Sequence, residues 1–144
     1  MRDIESILQQ SGVIAVVGLS DKPDRPSYGV AAYMQQKGYR VIPVNPLLKQ
    51  PVLGETPYPD VASAPEQVDI VDVFRRAEET PAAVGQAIAA GASAVWLQLG
   101  IVNEEAAAMA RAAGLDVVMD KCIKVEHQRL ESEGKLAARR GPPE

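Results

Sequence analysis

The sequence predicts an α/β fold in which a parallel β-sheet of about five strands is covered by helices on both faces. Short apolar runs alternate with helical segments along the 144-residue chain. Several of these runs are apolar at nearly every position, which is typical of central strands in a parallel sheet. Glycine follows most of the helical segments, where a C-terminal cap belongs.

Five apolar runs are predicted to form the strands. The first run, VIAVV, is apolar at every position and ends at Gly18. The second contains Pro43, which cannot donate to a sheet ladder and indicates an irregularity near the end of that strand. In chain order, the predicted strands cover residues 13–17, 40–44, 68–73, 94–97 and 115–119.

Five helical segments are indicated by the spacing of apolar residues and by capping residues. Ser27 is predicted to cap the second helix, and Asn103 the fourth. Thr80 is predicted to cap the third helix, because Pro81 follows it at the first helical position. The predicted helices cover residues 3–11, 28–37, 81–90, 104–113 and 123–133.

The order of the elements predicts a Rossmann-like doubly wound sheet, whose ligands bind beyond the carboxyl ends of the strands at the topological switch point. Residues 1–134 are predicted to form one domain, and 135–144 a polar tail that we expect to be partly frayed. The connection 45–67 holds five prolines. Long connections of this kind often carry function.

Composition excludes several classes of protein. The chain is 47% hydrophobic, 24% charged and only 4% aromatic, with a formal charge of −4, so it fits a globular domain and not a nucleic-acid reader. Cys122 and His127 are the single residues of their types, which excludes an internal disulfide and a multi-histidine metal site. No apolar run reaches the ~18 residues of a membrane span, and no signal-peptide core is present, so we expect a cytoplasmic protein without a membrane partner.

The loop after the first strand has the chemistry of an anion site. Gly18 is followed by two serines and two basic residues just before a helix, whose free N–H groups favour phosphate. Only one glycine of the dinucleotide fingerprint is present, and Asn45 stands where a ribose-binding acid would be needed. Loop composition alone fits a solvated loop with a capping serine equally well.

Five segments together resemble the coenzyme A-binding protein family. They are 16–20 (VVGLS), 41–46 (VIPVNP), 71–75 (VDVFR), 95–98 (VWLQ) and 119–127 (MDKCIKVEH). The family consists of small stand-alone Rossmann-like domains, similar to the CoA-binding N-terminal domain of the succinyl-CoA synthetase α-subunit. The resemblance extends over residues 14–130.

The resemblance implies coenzyme A as the cofactor and a set of residues that hold it. The residues that match the pyrophosphate loop are Gly18, Ser20, Lys22, Arg25, Ser27 and Tyr28. Asn45 and Pro46 match the wall near the adenosine, and Lys49 lies close to where a basic residue would meet the 3′-phosphate. Phe74, Arg75 and Gln98 follow the third and fourth strands and are implied to lie beside the crevice.

The resemblance implies a non-catalytic module that binds CoA or an acyl-CoA, and we predict no catalytic or metal-binding residue. The alternative is a CoA-ligase or acyltransferase component that needs a partner chain, since the synthetase takes its phosphorylated histidine from another domain. An NAD-type binding domain is a further alternative, disfavoured by Asn45 and the absent glycines. We expect either a homodimer or a complex with a ligase chain.

We make separate predictions for four further side chains. His127 is expected in a surface or capping role, and Asp72 and Asp120 are expected to tie loops together. Cys122 is expected to be a small buried residue. The alternative for Cys122 is a mixed disulfide with the cofactor thiol.

Overall fold

Two apolar layers, one on each face of a five-stranded parallel sheet, form the core of the protein. The computed structural model describes residues 1–139. The strands are β1 (Val13–Val17), β2 (Arg40–Val44), β3 (Ile70–Val73), β4 (Ala94–Leu97) and β5 (Asp116–Met119). The helices are α1 (Ile4–Gln10), α2 (Pro26–Gln36), α3 (Thr80–Ala89), α4 (Glu104–Ala112) and α5 (Ile123–Ser132). Short 3₁₀ turns cover Val61–Ser63 and Ala77–Glu79.

All strand pairs are parallel and the strand order is β2-β1-β3-β4-β5. Side chains alternate between the faces, so that Ile14 and Val16 join a cluster with α1, α2 and α5, whereas Ala15 and Val17 join one with α3 and α4. Trp96 is buried in the first cluster, and its Nε1 donates to the carbonyl of Lys121 at 2.8 Å. The predicted doubly wound Rossmann-like sheet is confirmed.

Side-chain hydrogen bonds explain where the elements differ from the prediction. The third strand begins at Ile70 and not at Val68, because the Asp69 carboxylate accepts from Gly12 N at 2.8 Å and Val13 N at 2.9 Å, which forms a turn before the ladder. Thr80 is not the N-cap of α3, because the helix begins at Thr80 itself and Glu79 takes the cap position. Ser27 is not the N-cap of α2. Arg25 takes that position, because Pro26 suits the first helical turn.

The proline-rich connection covers the outer edge of β2. Tyr58 N donates to the carbonyl of Pro43, and Asn45 N donates to the carbonyl of Tyr58, both at 2.9 Å. The carbonyl of Pro43 therefore points to the outer side of β2, and so does its nitrogen, which has no N–H to donate. Proline is tolerated here because, within residues 1–139, no strand of the sheet lies on that side.

The segment after α5 packs against the end of α1. Ala137 N donates to the Gln9 side chain at 2.9 Å, and the Arg139 guanidinium donates to the carbonyl of Leu8 and lies 4.1 Å from the centre of the Tyr39 ring. The rest of the predicted tail, 140–144, lies outside the described residues. Within residues 1–139, every helix is too short or too polar to span a membrane.

Candidate functional site

The switch point of the sheet lies between β1 and β3, where the chain turns to opposite sides. Gly18 ends β1 there with φ +87°, and a Cβ atom at this position would collide with the carbonyl of Phe74 at the end of β3. Gly18 N donates to the carbonyl of Val44, and Phe74 N to that of Val17, both at 2.8 Å. Glycine is thus required because the ends of β1 and β3 approach each other closely.

The loop from β1 to α2 is a compact turn built on two serine hydroxyls. Ser27 Oγ accepts from Ser20 N at 3.0 Å, and Ser20 Oγ accepts from Lys22 N at 3.1 Å. Among residues 1–139 neither hydroxyl donates a hydrogen bond, so each retains an O–H donor. Arg25 occupies the N-cap position of α2, but its side chain makes no capping hydrogen bond, so the first turn of the helix has no side-chain cap. Pro26 has no N–H and Tyr28 N donates to the carbonyl of Arg25 at 3.1 Å, so the first turn offers Ser27 N and the helix dipole to an anion.

A cleft of about 330 Å³ opens between this loop and the end of β3. Six residues predicted from the sequence line it, namely Gly18, Ser20, Arg25, Ser27, Phe74 and Arg75. Neither Arg25 nor Arg75 forms an ion pair with a carboxylate of residues 1–139, so two arginines without a carboxylate partner line one cleft.

Sequence reasoning missed three residues of this cleft: Pro26, Arg76 and Ile101. Arg76 directly follows the predicted Arg75, and a second arginine after a strand is a signal that could have been used. Its guanidinium is paired with Glu78 and Glu79. Ile101 gave no such signal, because only the path of the loop after β4 brings it to the cleft.

A second cleft of about 260 Å³ lies beside the first, between β2 and α3. Its lining is mainly aliphatic and includes the predicted Pro46, together with Val17, Val44, Pro59, Ala82, Ala83 and Gln86. Arg75 lines both clefts, so they meet at its side chain. We refer to the two clefts together as the crevice, which lies at the carboxyl ends of β2, β1 and β3.

The remaining predicted site residues lie around the crevice without lining either cleft. The Asn45 amide donates to the carbonyl of Leu19 at 3.1 Å and accepts from Leu47 N at 3.0 Å, which ties the loops after β1 and β2 together. Lys22 and Lys49 are exposed, and Tyr28 packs against the core. Gln98 is buried and accepts from Ile123 N at 3.2 Å.

Asp72 does not tie loops together, which corrects that expectation. It lies in β3 between Val16 and Trp96, only 1% exposed, and its Oδ1 has no hydrogen-bond partner. Burial raises the pKa of this carboxyl well above its usual range. The expectation for Asp120 is confirmed, because its carboxylate accepts from Gly100 N at 2.7 Å and so links the loops after β4 and β5.

His127 is buried and not at the surface, which corrects a second expectation. Its Nδ1 lies 2.8 Å from the hydroxyl of Tyr33, and its ring meets the Tyr33 and Tyr39 rings edge-on. Desolvation lowers its pKa. Cys122 is half-buried at the N-cap of α5. Among residues 1–139, no group of three His, Cys, Asp or Glu side chains could hold a metal ion.

A family model described as "CoA binding domain" matches residues 12–128, which include the β1–α2 loop and the residues that follow β2, β3 and β4. The chain belongs to this family. The resemblance noted from the five sequence segments is thereby confirmed.

Relatives of the chain cover nearly its whole length. Over 125 residues it is 46% identical to the uncharacterized protein YneT of Bacillus subtilis. The aligned region covers 87% of this chain and 92% of the relative. A hypothetical protein from Pyrococcus horikoshii is 42% identical, with a TM-score of 0.86 over 90% of both chains.

A more distant likeness shows the fold alone. A dinucleotide-forming acetyl-coenzyme A synthetase from Ca. Korarchaeum cryptofilum is 22% identical, with a TM-score of 0.71 over 82% of this chain and 28% of the synthetase. The same fold therefore occurs as part of a much longer chain.

Proposed function

We propose that this protein binds coenzyme A in the crevice at the carboxyl ends of β2, β1 and β3, as a module without catalytic activity of its own. The observation that carries the proposal is the cleft at the switch point. There, two arginines without an ion pair among residues 1–139, two serine hydroxyls and a helix N-terminus without a side-chain cap line one cleft.

The first cleft suits the pyrophosphate of the ligand. Arginine presents several N–H donors in a fixed fork, which matches phosphate oxygens better than a point charge does. Arg25 comes from the β1–α2 loop and Arg75 from the end of β3, so the two would meet a phosphate from different sides. Ser20 and Ser27 would add hydroxyl donors between them.

The second cleft suits the adenosine. An adenine ring is flat and largely apolar on its faces, and the cleft offers aliphatic walls from Val17, Val44 and Pro46 with Arg75 at one side. The ring would lie above β2 and the phosphates above β1. Lys49, in the exposed loop beyond Pro46, would then meet the 3′-phosphate.

Two observations favour CoA over NAD. The β1–α2 loop is longer than the tight dinucleotide turn and has a single glycine. The Asn45 amide is already engaged by the carbonyl of Leu19 and by Leu47 N, so it has little left to offer a ribose.

A second candidate function is a CoA-ligase component completed by a partner chain. It is favoured by the likeness to the acetyl-coenzyme A synthetase, of which this fold is a part. The only histidine, His127, packs between α2 and α5 and lines neither cleft, so a phosphohistidine would have to come from the partner. Copurification followed by an acyl-CoA synthesis assay distinguishes the two functions.

Calorimetric titration with CoA, dephospho-CoA and NAD tests the proposal. We expect CoA to bind with the highest affinity, dephospho-CoA more weakly, and NAD not measurably. Arg75→Ala should reduce the affinity for both CoA species by roughly tenfold to a hundredfold, since it removes a charged hydrogen bond. No heat and no thermal shift with millimolar CoA would refute CoA binding.

A further inference from the structure

Exposed apolar side chains are concentrated at the edge of the sheet where the crevice opens. Among residues 1–139, the large apolar residues with high exposure include Leu99 (69%) and Val102 (48%), both in the loop after β4. Ile101, between them, lines the first cleft. We call Leu99, Ile101 and Val102 the β4 rim. Exposed apolar side chains that lie close together commonly mark a binding site for a ligand or for another protein.

The β4 rim is held in place at both ends of its loop. Gly100 N donates to the Asp120 carboxylate at 2.7 Å, and Ile101 N donates to the carbonyl of Gln98 at 2.9 Å. The Asn103 amide caps α4 and also donates to the carbonyl of Ala77 at 2.8 Å. The exposure of Leu99 and Val102 is therefore built into an ordered loop, and a ligand would bind it without a large ordering cost.

The strand order sets the direction of a bound CoA. With the adenosine above β2 and the pyrophosphate above β1, a pantetheine arm that continues in the same direction would cross β3 toward β4, because the strands follow the order β2-β1-β3-β4. The end of β4 lies two strand spacings from β1, or about 10 Å. Ile101 belongs both to the first cleft and to the β4 rim, so the two surfaces are continuous.

We propose that the ligand is an acyl-CoA with a short apolar acyl chain, which lies on the β4 rim. This inference rests on the proposed function, since it assumes that CoA occupies the crevice. The thiol of free CoA adds no apolar chain at this end of the ligand, whereas an acyl chain of a few carbons would add apolar surface against Leu99 and Val102. The rim is therefore a specificity element that selects thioesters over the free cofactor.

Calorimetric titration with CoA, acetyl-CoA, butanoyl-CoA and hexanoyl-CoA tests this inference. A fully buried methylene contributes up to about a fourfold gain in affinity, and a methylene lying on an open rim about twofold. Hexanoyl-CoA has four more methylenes than acetyl-CoA and should bind roughly 16-fold more tightly. The heat-capacity change of binding should also become more negative along the series.

Rim variants test the location of the acyl chain. Leu99→Ser and Val102→Ser should reduce the affinity gain of hexanoyl-CoA over CoA to a few-fold while leaving CoA affinity unchanged. Leu47→Ser is the matched control. Leu47 is similarly exposed (79%) but follows β2, at the adenosine end, so the ratio of the two affinities should stay as in the wild type.

The outcomes separate the two proposals. If CoA and the three acyl-CoA ligands all bind with equal affinity, the inference is wrong and the proposed function stands. Absence of binding by every CoA species would overturn both. If the rim variants instead dissociate an oligomer of the protein without changing the affinity ratio, the rim is a protein interface and the inference is wrong.

Discussion

Gly18 and Phe74 meet at the switch point of the sheet, where the carbonyl of Phe74 occupies the space that a side chain at position 18 would need. The contact joins the ends of β1 and β3, the two strands whose following loops line the first cleft. The stability of the fold and the geometry of the site therefore depend on the same pair of residues.

Gly18→Ala should be strongly destabilising, by about 2–4 kcal/mol, because it adds a steric clash with backbone to the strain of a positive φ. Gly100→Ala is the matched control. Gly100 has nearly the same φ, +86°, but no atom lies within 4 Å of the position of its Cβ, so only strain remains, about 1 kcal/mol. Urea unfolding measures both changes. Equal losses for the two variants would show that the Phe74 contact contributes nothing.

Most of the fold could be predicted from the sequence because it depends on local patterns. The bounds of β1, β2 and β4 follow directly from runs of apolar residues. Ser27 could not be placed correctly, since Ser27 Oγ is engaged by Ser20 N and the helix begins at Pro26, two residues before the predicted start. This contact depends on how the loop folds back, which residue spacing does not show.

The candidate site could be predicted only in part, for a similar reason. Residues that directly follow strands, such as Gly18 and Phe74, lie at the crevice because all the strands of a parallel sheet end at one edge. Ile101 reaches the cleft only through hydrogen bonds of the β4–α4 loop to Gln98 and Asp120. His127 was misjudged because its burial depends on tyrosines from α2 and the segment that follows it.

Lys22→Ala and Arg25→Ala should weaken CoA and dephospho-CoA to the same extent, by roughly tenfold to a hundredfold, if these residues meet the pyrophosphate. Both residues belong to the β1–α2 loop. Arg111→Ala is the control, because Arg111 is an exposed arginine in the last turn of α4, away from both clefts. Unchanged affinity for both loop variants would contradict the assignment of this loop to phosphate binding.

Lys49→Ala should show a different pattern. Lys49 lies in the exposed loop beyond β2, so a role at the 3′-phosphate predicts weaker binding of CoA and unchanged binding of dephospho-CoA. The affinity ratio of the two ligands, measured by calorimetry, should fall toward one. An equal loss for both ligands would place Lys49 at the pyrophosphate instead.

Asp72→Asn should alter the pH dependence of stability. Burial raises the pKa of Asp72 in the folded protein, so the folded state holds its proton more strongly than the unfolded state. The stability of the wild type should therefore fall as the pH rises from the unfolded pKa, about 3.8, to the folded pKa, by up to about 1.4 kcal/mol per pH unit. The asparagine variant lacks this loss. Parallel stability curves for wild type and variant would contradict a raised pKa.

His127 gives the opposite pH dependence. It is enclosed by the rings of Tyr33 and Tyr39, with Glu131, Lys37 and Arg139 as the charged groups around it, and desolvation is the main cause of its lowered pKa. The unfolded state binds the proton of His127 more strongly than the folded state does. The stabilisation that neutral His127 gives the folded state is therefore complete above the unfolded pKa of about 6.5, and it is lost as the pH falls toward the folded pKa.

His127→Phe should remove this loss on the acid side while keeping a ring between the two tyrosines. At neutral pH the variant should be less stable by about 1 kcal/mol, because the hydrogen bond to the Tyr33 hydroxyl is gone. Tyr33→Phe is the companion variant, since it removes the same bond but keeps the titrating imidazole. Thermal unfolding between pH 5 and 8 should then show acid sensitivity in Tyr33→Phe and none from this site in His127→Phe.

Because the Tyr33–His127 pair lies between α2 and α5 and lines neither cleft, CoA affinity at neutral pH should be the same in both variants. Acid sensitivity of equal size in both variants would assign the loss to another group.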